Sequence, residues 1–263
     1  KHSSDVFVEA IMNLNYKAFG EGEPLIILHG LLGMLDNWQG PAKLMQYKFL
    51  IYIVDLRNHG HSQNSDEHNY DLMSADVIQL MDTLKIERAH LLGHSMGGKV
   101  AMKIAEEHSE RVNKLVVADI GPKEYPVHHE QIIAGLKSVP LDELERRSDA
   151  EPYLEKYIPE PGVRQFLMKS LFHPDRGSFD WRFNLEAIER NLHEVGQSVD
   201  ELGFDGETLF IRGGSSNYVL DEDWADIKTL YPNAYLETID DAGHWLHAEK
   251  PQEFVTAVLD FLG

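Results

Sequence analysis

Short apolar runs punctuate the chain at Leu25 to Leu28, Phe49 to Val54, His90 to Leu92, Leu115 to Ala118, Leu209 to Ile211 and Tyr235 to Ile239. They are too short for helices and end near Gly, Asp or His, so they predict buried strands. Elsewhere the apolar spacing changes to three and four. Leu72, Met73, Val77, Ile78, Leu80, Met81 and Leu84 form one helical stripe, and Phe254, Val255, Val258, Leu259 and Leu262 form another. Strands alternating with helices predict an α/β fold, a mostly parallel central sheet with helices on both faces. Val6 to Phe19 alternates loosely and predicts one or two amino-terminal strands.

The alternation breaks across residues 122–206. Short helical stretches there are punctuated by Pro126, Pro140, Pro152, Pro159, Pro161 and Pro174, and no strand is expected. An insertion at this point would lie over the carboxyl ends of the strands, where open α/β sheets bind ligands. The expected organisation is therefore a core of residues 1–121 and 207–263 carrying a helical lid, or cap, of residues 122–206. Within that lid, Phe166, Met168, Phe172, Phe179, Trp181 and Phe183 are expected mostly to form its own core. Glu143, Glu145, Arg146, Arg147 and Asp149 read as a solvated helix face.

Composition narrows the function classes. With 263 residues the chain is long enough for a sizeable core, and its formal net charge of −20 argues against nucleic acid and anionic membrane surfaces. The absence of cysteine excludes disulfides, thiolate metal sites and cysteine catalysis. No stretch reaches the roughly 20 apolar residues of a membrane span, so no membrane insertion is expected. No secretory signal pattern opens the chain, and the expected location is cytoplasmic.

The strongest chemical signal is Gly93-His94-Ser95-Met96-Gly97, set between an apolar run and a helical one. This is the pattern of a nucleophile elbow, a tight strand-to-helix turn that exposes a serine hydroxyl. Upstream, the run Leu25 to Leu28 ends in His29-Gly30-Leu31-Leu32-Gly33; downstream, Tyr235 to Ile239 is followed by Asp240-Asp241-Ala242-Gly243-His244-Trp245. A neutral hydroxyl needs a base and a site for the oxyanion. His244 is the expected general base and acid, and the backbone N–H groups of Leu31 and Met96 the expected oxyanion hole.

The orienting acid is less obvious. After Leu209 to Ile211 comes Arg212-Gly213-Gly214-Ser215-Ser216-Asn217-Tyr218, with no carboxylate before Asp221. Asp119, at the carboxyl end of the strand following the nucleophile helix, is the preferred acid; Asp221 and Asn217 remain alternatives. Asp55 reads as structural. His59 and His61 have a spacing two metal ligands can share, but no further ligand cluster accompanies them and no metal is expected. His29 and His94 are expected to pack or hydrogen-bond, and His128 and His129 to be solvated.

Taken together, these residues resemble the α/β-hydrolase-fold serine esterases, specifically the YbfF-type bacterial esterases. The resemblance runs nearly end to end. Besides the stretches above, it rests on Leu35-Asp36-Asn37-Trp38, Asp55-Leu56-Arg57-Asn58-His59-Gly60, Asp119-Ile120-Gly121-Pro122, Trp181-Arg182-Phe183-Asn184 and Gly243 to Pro251. It implies an α/β-hydrolase fold, a triad of Ser95, His244 and Asp119, and hydrolysis of small-molecule esters or thioesters without metal or organic cofactor. The first expectation is a carboxylesterase acting on short-to-medium acyl esters through an acyl-enzyme. The alternatives are an acyl-CoA thioesterase, for which Arg146, Arg147, Arg164 and Arg182 would form a basic patch, and a ligand receptor with slow incidental hydrolysis. Oligomeric state is not legible.

Overall fold

The apolar runs lie side by side in a seven-stranded sheet made of β1 (Tyr16–Phe19), β2 (Glu23–Leu28), β3 (Phe49–Val54), β4 (Ala89–His94), β5 (Val112–Ala118) and, after the long insertion, two more strands. The computed structural model describes residues 12–126, 128–175 and 177–263. Of the expected amino-terminal strands, Tyr16–Phe19 is present, and residues 6–11 lie outside the described residues. The insertion contributes a separate two-stranded ribbon, β6 (Leu171–Phe172) and β7 (Asp180–Trp181), before β8 (Thr208–Gly213) and β9 (Ala234–Ile239) complete the main sheet. Strand order is β1-β3-β2-β4-β5-β8-β9, with β1 antiparallel and the others parallel.

Period-two alternation divides the core between the faces of this sheet. Ile26, Leu28, Leu91 and Val117 pack with Met73, Val77, Val100, Ile104 and Ile227 from the helices Tyr70–Thr83, Met96–Glu107 and Trp224–Leu230. On the other face, Leu25, Ile27, Ile51 and Ile53 meet Ala42, Met45, Phe254 and Val258 from Gln39–Met45 and Pro251–Leu262. Burial of each large aliphatic side chain contributes roughly 1.5–3 kcal/mol, and both faces are closed.

Between β5 and β8 the chain forms short helices, among them Glu130–Ser138, Pro161–Met168 and Leu185–Arg190, around a cluster that includes Leu136, Leu154, Leu167, Phe179, Trp181 and Phe183. The expectation of no strand here is corrected by the β6–β7 ribbon. Its strands are two residues long, too short to carry a period, and Leu171 and Trp181 are buried in that cluster. Residues 143–149 are also corrected. They form exposed turns and a 3₁₀ segment (Arg147–Ala150) rather than a helix face. Asp149 accepts from the Glu145 and Arg146 N–H groups, so its side chain organises the turn.

Several hydrogen bonds tie the inserted segment to the core. Asn184 N–H donates to the Asn58 carbonyl at 2.8 Å and its Nδ2 to Asn58 Oδ1 at 3.1 Å, so the Trp-Arg-Phe-Asn and Asp-Leu-Arg-Asn-His-Gly stretches meet. Lys99, 1% exposed on the helix Met96–Glu107, donates to the carbonyls of Lys123 (2.7 Å) and Gln197, near the two ends of the insertion. Tyr125 lies 4.9 Å from its ammonium, and burial lowers the Lys99 pKa to about 8.

Candidate active site

Parallel strands β4 and β5 end together, and the chain turns sharply out of β4 at Ser95, with φ 53° and ψ −118°. A non-glycine residue at positive φ costs free energy and holds only where its surroundings over-determine it. Here they do: a Cβ on Gly93 would run into the Gly97 carbonyl, and one on Gly97 into the Leu28 carbonyl. The glycines let the turn lie directly on β2, leaving the Ser95 hydroxyl at the head of a helix.

His244 follows β9 in a turn closed by Gly243 N–H donating to the Glu249 carboxylate. Its Nε2 lies 2.9 Å from Ser95 Oγ and its Nδ1 2.7 Å from Asp119 Oδ2. An ionised carboxylate only accepts, so Nδ1–H donates to Asp119 and Nε2 is left to accept from the serine hydroxyl. Asp119 is fully buried at the end of β5, with φ 53°. Gly213 N–H donates to Oδ1 at 3.0 Å, and the Ser216 hydroxyl to Oδ2.

The two other acid candidates lie elsewhere. Asp221 is 91% exposed and pairs with Arg212 at 2.6 Å; Asn217 is exposed. The loop after β8 contributes Ser216 to Asp119. It also contributes Tyr218, whose ring stacks on His244 with centroids 3.9 Å apart and planes 18° from parallel. Neither contact has a signature in the sequence. On the backbone side, His94 Nε2–H donates to the His244 carbonyl at 2.7 Å, and its burial beside His247 and His244 holds its pKa well below normal. His94 packs and hydrogen-bonds as expected.

Leu31 and Met96 line a small cavity together with Ser95. Met96 is the first residue of its helix, so its N–H has no intrahelical acceptor. Leu31 sits in a turn closed by Gly33 N–H to the Gly30 carbonyl at 3.1 Å. Two neutral histidines brace that turn from below. His29 donates through Nδ1 to the Gly30 carbonyl and accepts at Nε2 from Leu56 N–H. His59 donates through Nδ1 to the Arg57 carbonyl and accepts at Nε2 from Leu32 N–H, at 3.0 Å. That bond holds Leu32 at φ 64°. Burial is the main cause of their lowered pKa values, about 4 for His29 and about 3 for His59.

With both His59 ring nitrogens engaged, the His59 and His61 pair is not a metal site; among the described residues no group of three or more His, Asp or Glu is arranged to hold a metal. Asp55 accepts from Leu35 N–H, His61 N–H and Asn15 Nδ2, a structural role. Buried Arg57 pairs with Asp76 through two bonds of 2.7 and 2.9 Å, an arrangement the sequence did not signal.

A cavity of about 330 Å³ opens above Ser95, lined by His244, Trp245, Phe166 and Val163 among others. His128 is exposed as expected, but His129 is corrected: it lines this cavity, and burial lowers its pKa to about 4. Of the aromatic residues in the insertion, Phe166 reaches the cavity, whereas Phe179, Trp181 and Phe183 are buried in the insertion's own cluster. Two of the four arginines of the expected basic patch are engaged in other contacts. Arg164 is buried against Glu151, and Arg182 lies over the Phe172 ring at 3.6 Å.

Fold and site define a class. Residues 23–154 match the family model described as the alpha/beta hydrolase fold, and the chain belongs to that family. It is 36% identical over 241 residues to esterase YbfF of Escherichia coli, covering 91% of this chain and 92% of that one. It is 38% identical over 263 residues to a Danio rerio protein named sn-1-specific diacylglycerol lipase ABHD11, covering 95% of this chain and 83% of that one. A solved structure named marine microorganism esterase superposes with a TM-score of 0.92 at 38% identity, covering 95% of this chain and 99% of the other. Among the described residues no helix is long and apolar enough to cross a membrane.

Proposed function

We propose that the protein is a serine carboxylesterase, with Ser95 as nucleophile, His244 as general base and acid, Asp119 as orienting acid and the Leu31 and Met96 N–H groups as oxyanion hole. The observation that carries this reading is the continuous chain of hydrogen bonds from Ser95 through His244 to buried Asp119. Ser95 Oγ attacks the ester carbonyl while His244 Nε2 takes its proton. The developing oxyanion is held by the two N–H groups, and the imidazolium is stabilised by the Asp119 charge. Nε2 then delivers its proton to the departing alkoxide, leaving an acyl-serine and a free alcohol. Water, deprotonated by the same Nε2, attacks the acyl carbon, and collapse returns the proton to Ser95.

Residues 122–206 serve in this reading as a lid. Phe166 and Val163 form part of the wall that excludes water from the reacting carbonyl. Arg164 and Arg182 are held in structural contacts, and Arg147 and Lys169 in the adjoining cavity share it with Asp36, Glu160 and Glu249, a mixed-charge lining that favours an ester over a coenzyme A thioester, whose phosphates need converging cations. Steady-state turnover of aryl esters beside acyl-CoAs of matched acyl group tests this. The ester is expected to give at least tenfold higher kcat/KM; faster turnover of the acyl-CoA would make the protein a thioesterase. Single-turnover labelling without sustained hydrolysis would favour a receptor.

A further inference from the structure

A second, much smaller cavity of about 40 Å³ also reaches Ser95, on the side bordered by Met96, Ile120 and Tyr70. Leu31, Ser95, His129 and Tyr218 are common to both cavities, so the two meet above the nucleophile. His244 borders only the larger one. That asymmetry gives direction to a bound ester. The leaving oxygen must take its proton from His244 Nε2, so the alcohol part lies on the His244 side. The acyl chain, the remaining substituent of the reacting carbon, is left with the small cavity. Resting on the ester-hydrolase reading above, the geometry points to a substrate that pairs a short acyl group with a bulky alcohol.

The dimensions set the limits on each side. At roughly 10–15 Å³ for each water-sized group, the 40 Å³ cavity takes about three or four of them, which is an acetyl-to-butyryl chain. Its walls are held in place. Tyr70 hydroxyl donates to the Val195 carbonyl at 2.6 Å, Tyr125 hydroxyl donates to the Tyr218 carbonyl at 2.6 Å, and Gly121 N–H donates to the Tyr125 hydroxyl at 2.9 Å. With their polar tips engaged, these rings present apolar surface and resist displacement. On the alcohol side, the 330 Å³ cavity shares Phe166, Val163 and Trp245 with an outer cavity of about 840 Å³. Arg147, Lys169, Asp36 and Glu249 line that outer space, so the alcohol is apolar near the ester and tolerates polar groups farther out.

A matrix of esters decides the matter: acetate, butyrate and octanoate, each of ethanol and of naphthol, together with a long-chain diacylglycerol. The expected kcat/KM for naphthyl butyrate exceeds that for naphthyl octanoate by at least tenfold and that for ethyl octanoate by more, with the diacylglycerol a poor substrate. Val195→Ala and Leu192→Ala, which enlarge the small cavity without touching the hydrogen-bonded chain, should raise octanoate relative to acetate at least fivefold. Phe166→Ala should instead change the ratio of naphthyl to ethyl esters. Hydrolysis in which ethyl octanoate is preferred, with acyl ratios unmoved by Val195→Ala and Leu192→Ala, overturns the partition and leaves the esterase standing. Failure to hydrolyse any ester overturns both.

Discussion

Replacing Asp119 with Asn keeps the shape of the side chain and removes its charge, at a position with no solvent exposure. In the native site that charge faces His244 Nδ1 at 2.7 Å. Taking ~4 Å between the carboxylate and the delocalised imidazolium, with an effective dielectric near 20, their attraction is about 4 kcal/mol. At 1.36 kcal/mol per tenfold, its loss lowers kcat about 10³-fold. The Asn amide also favours the wrong imidazole tautomer, which brings the expected loss toward ~10⁴-fold. Aryl acetate turnover should be measured beside thermal melts of the same preparations, so that loss of activity is separated from loss of fold. Asp221→Asn is the matched control. Its exposed ion pair with Arg212 is worth at most about 1 kcal/mol, and kcat should stay within about twofold. Because groups acting as one catalytic unit are non-additive, the double variant should resemble Asp119→Asn alone. A large loss in Asp221→Asn with near-normal Asp119→Asn would refute the assignment.

Acid should destabilise the fold through its buried histidines. His29, His59 and His247 have pKa values lowered from 6.5 to about 4, 3 and 3, mainly by burial. The unfolded chain therefore binds protons that the folded one refuses as pH falls from about 6.5 towards 3–4, and each histidine withdraws about 1.4 kcal/mol per pH unit. Urea midpoints should drop steeply between pH 6.5 and 5, with a shallower slope in His247→Gln; a flat profile would count against neutral buried histidines. Tyr218→Leu removes the ring stacked on His244, a contact worth ~0.5–2 kcal/mol to an imidazolium. It should lower kcat about three- to thirtyfold with little change in melting temperature, while Tyr218→Phe stays near wild type; equal losses in both would assign the effect to something other than stacking.

The strands were readable because parallel strands buried on both faces become continuous apolar runs, and each of β2 to β5, β8 and β9 coincides with one. Ser95 and His244 stood out because a tight turn and a late histidine leave local marks. Asp119 was harder. Its proximity to His244 depends on the β5-β8-β9 order of the sheet, which joins residues 125 positions apart. The same reason hid Ser216 and Tyr218, ordinary loop residues until that loop folds over Asp119 and His244. The Arg57–Asp76 pair and the Lys99 tether were hidden because a buried charge has the same letter as an exposed one, and only tertiary contact tells them apart. The β6–β7 ribbon was missed because two-residue strands carry no periodicity, and His129 because the cavity it lines is made by distant segments.

The proposed reaction requires Ser95 as its nucleophile. Treatment with a serine-directed phosphonate, followed by intact-mass and peptide analysis, should give one adduct on the peptide carrying Ser95. The Ser95→Ala variant should keep its melting temperature, take up no label and lose turnover. Retained turnover in Ser95→Ala, or an activity-abolishing adduct on another serine, would contradict it.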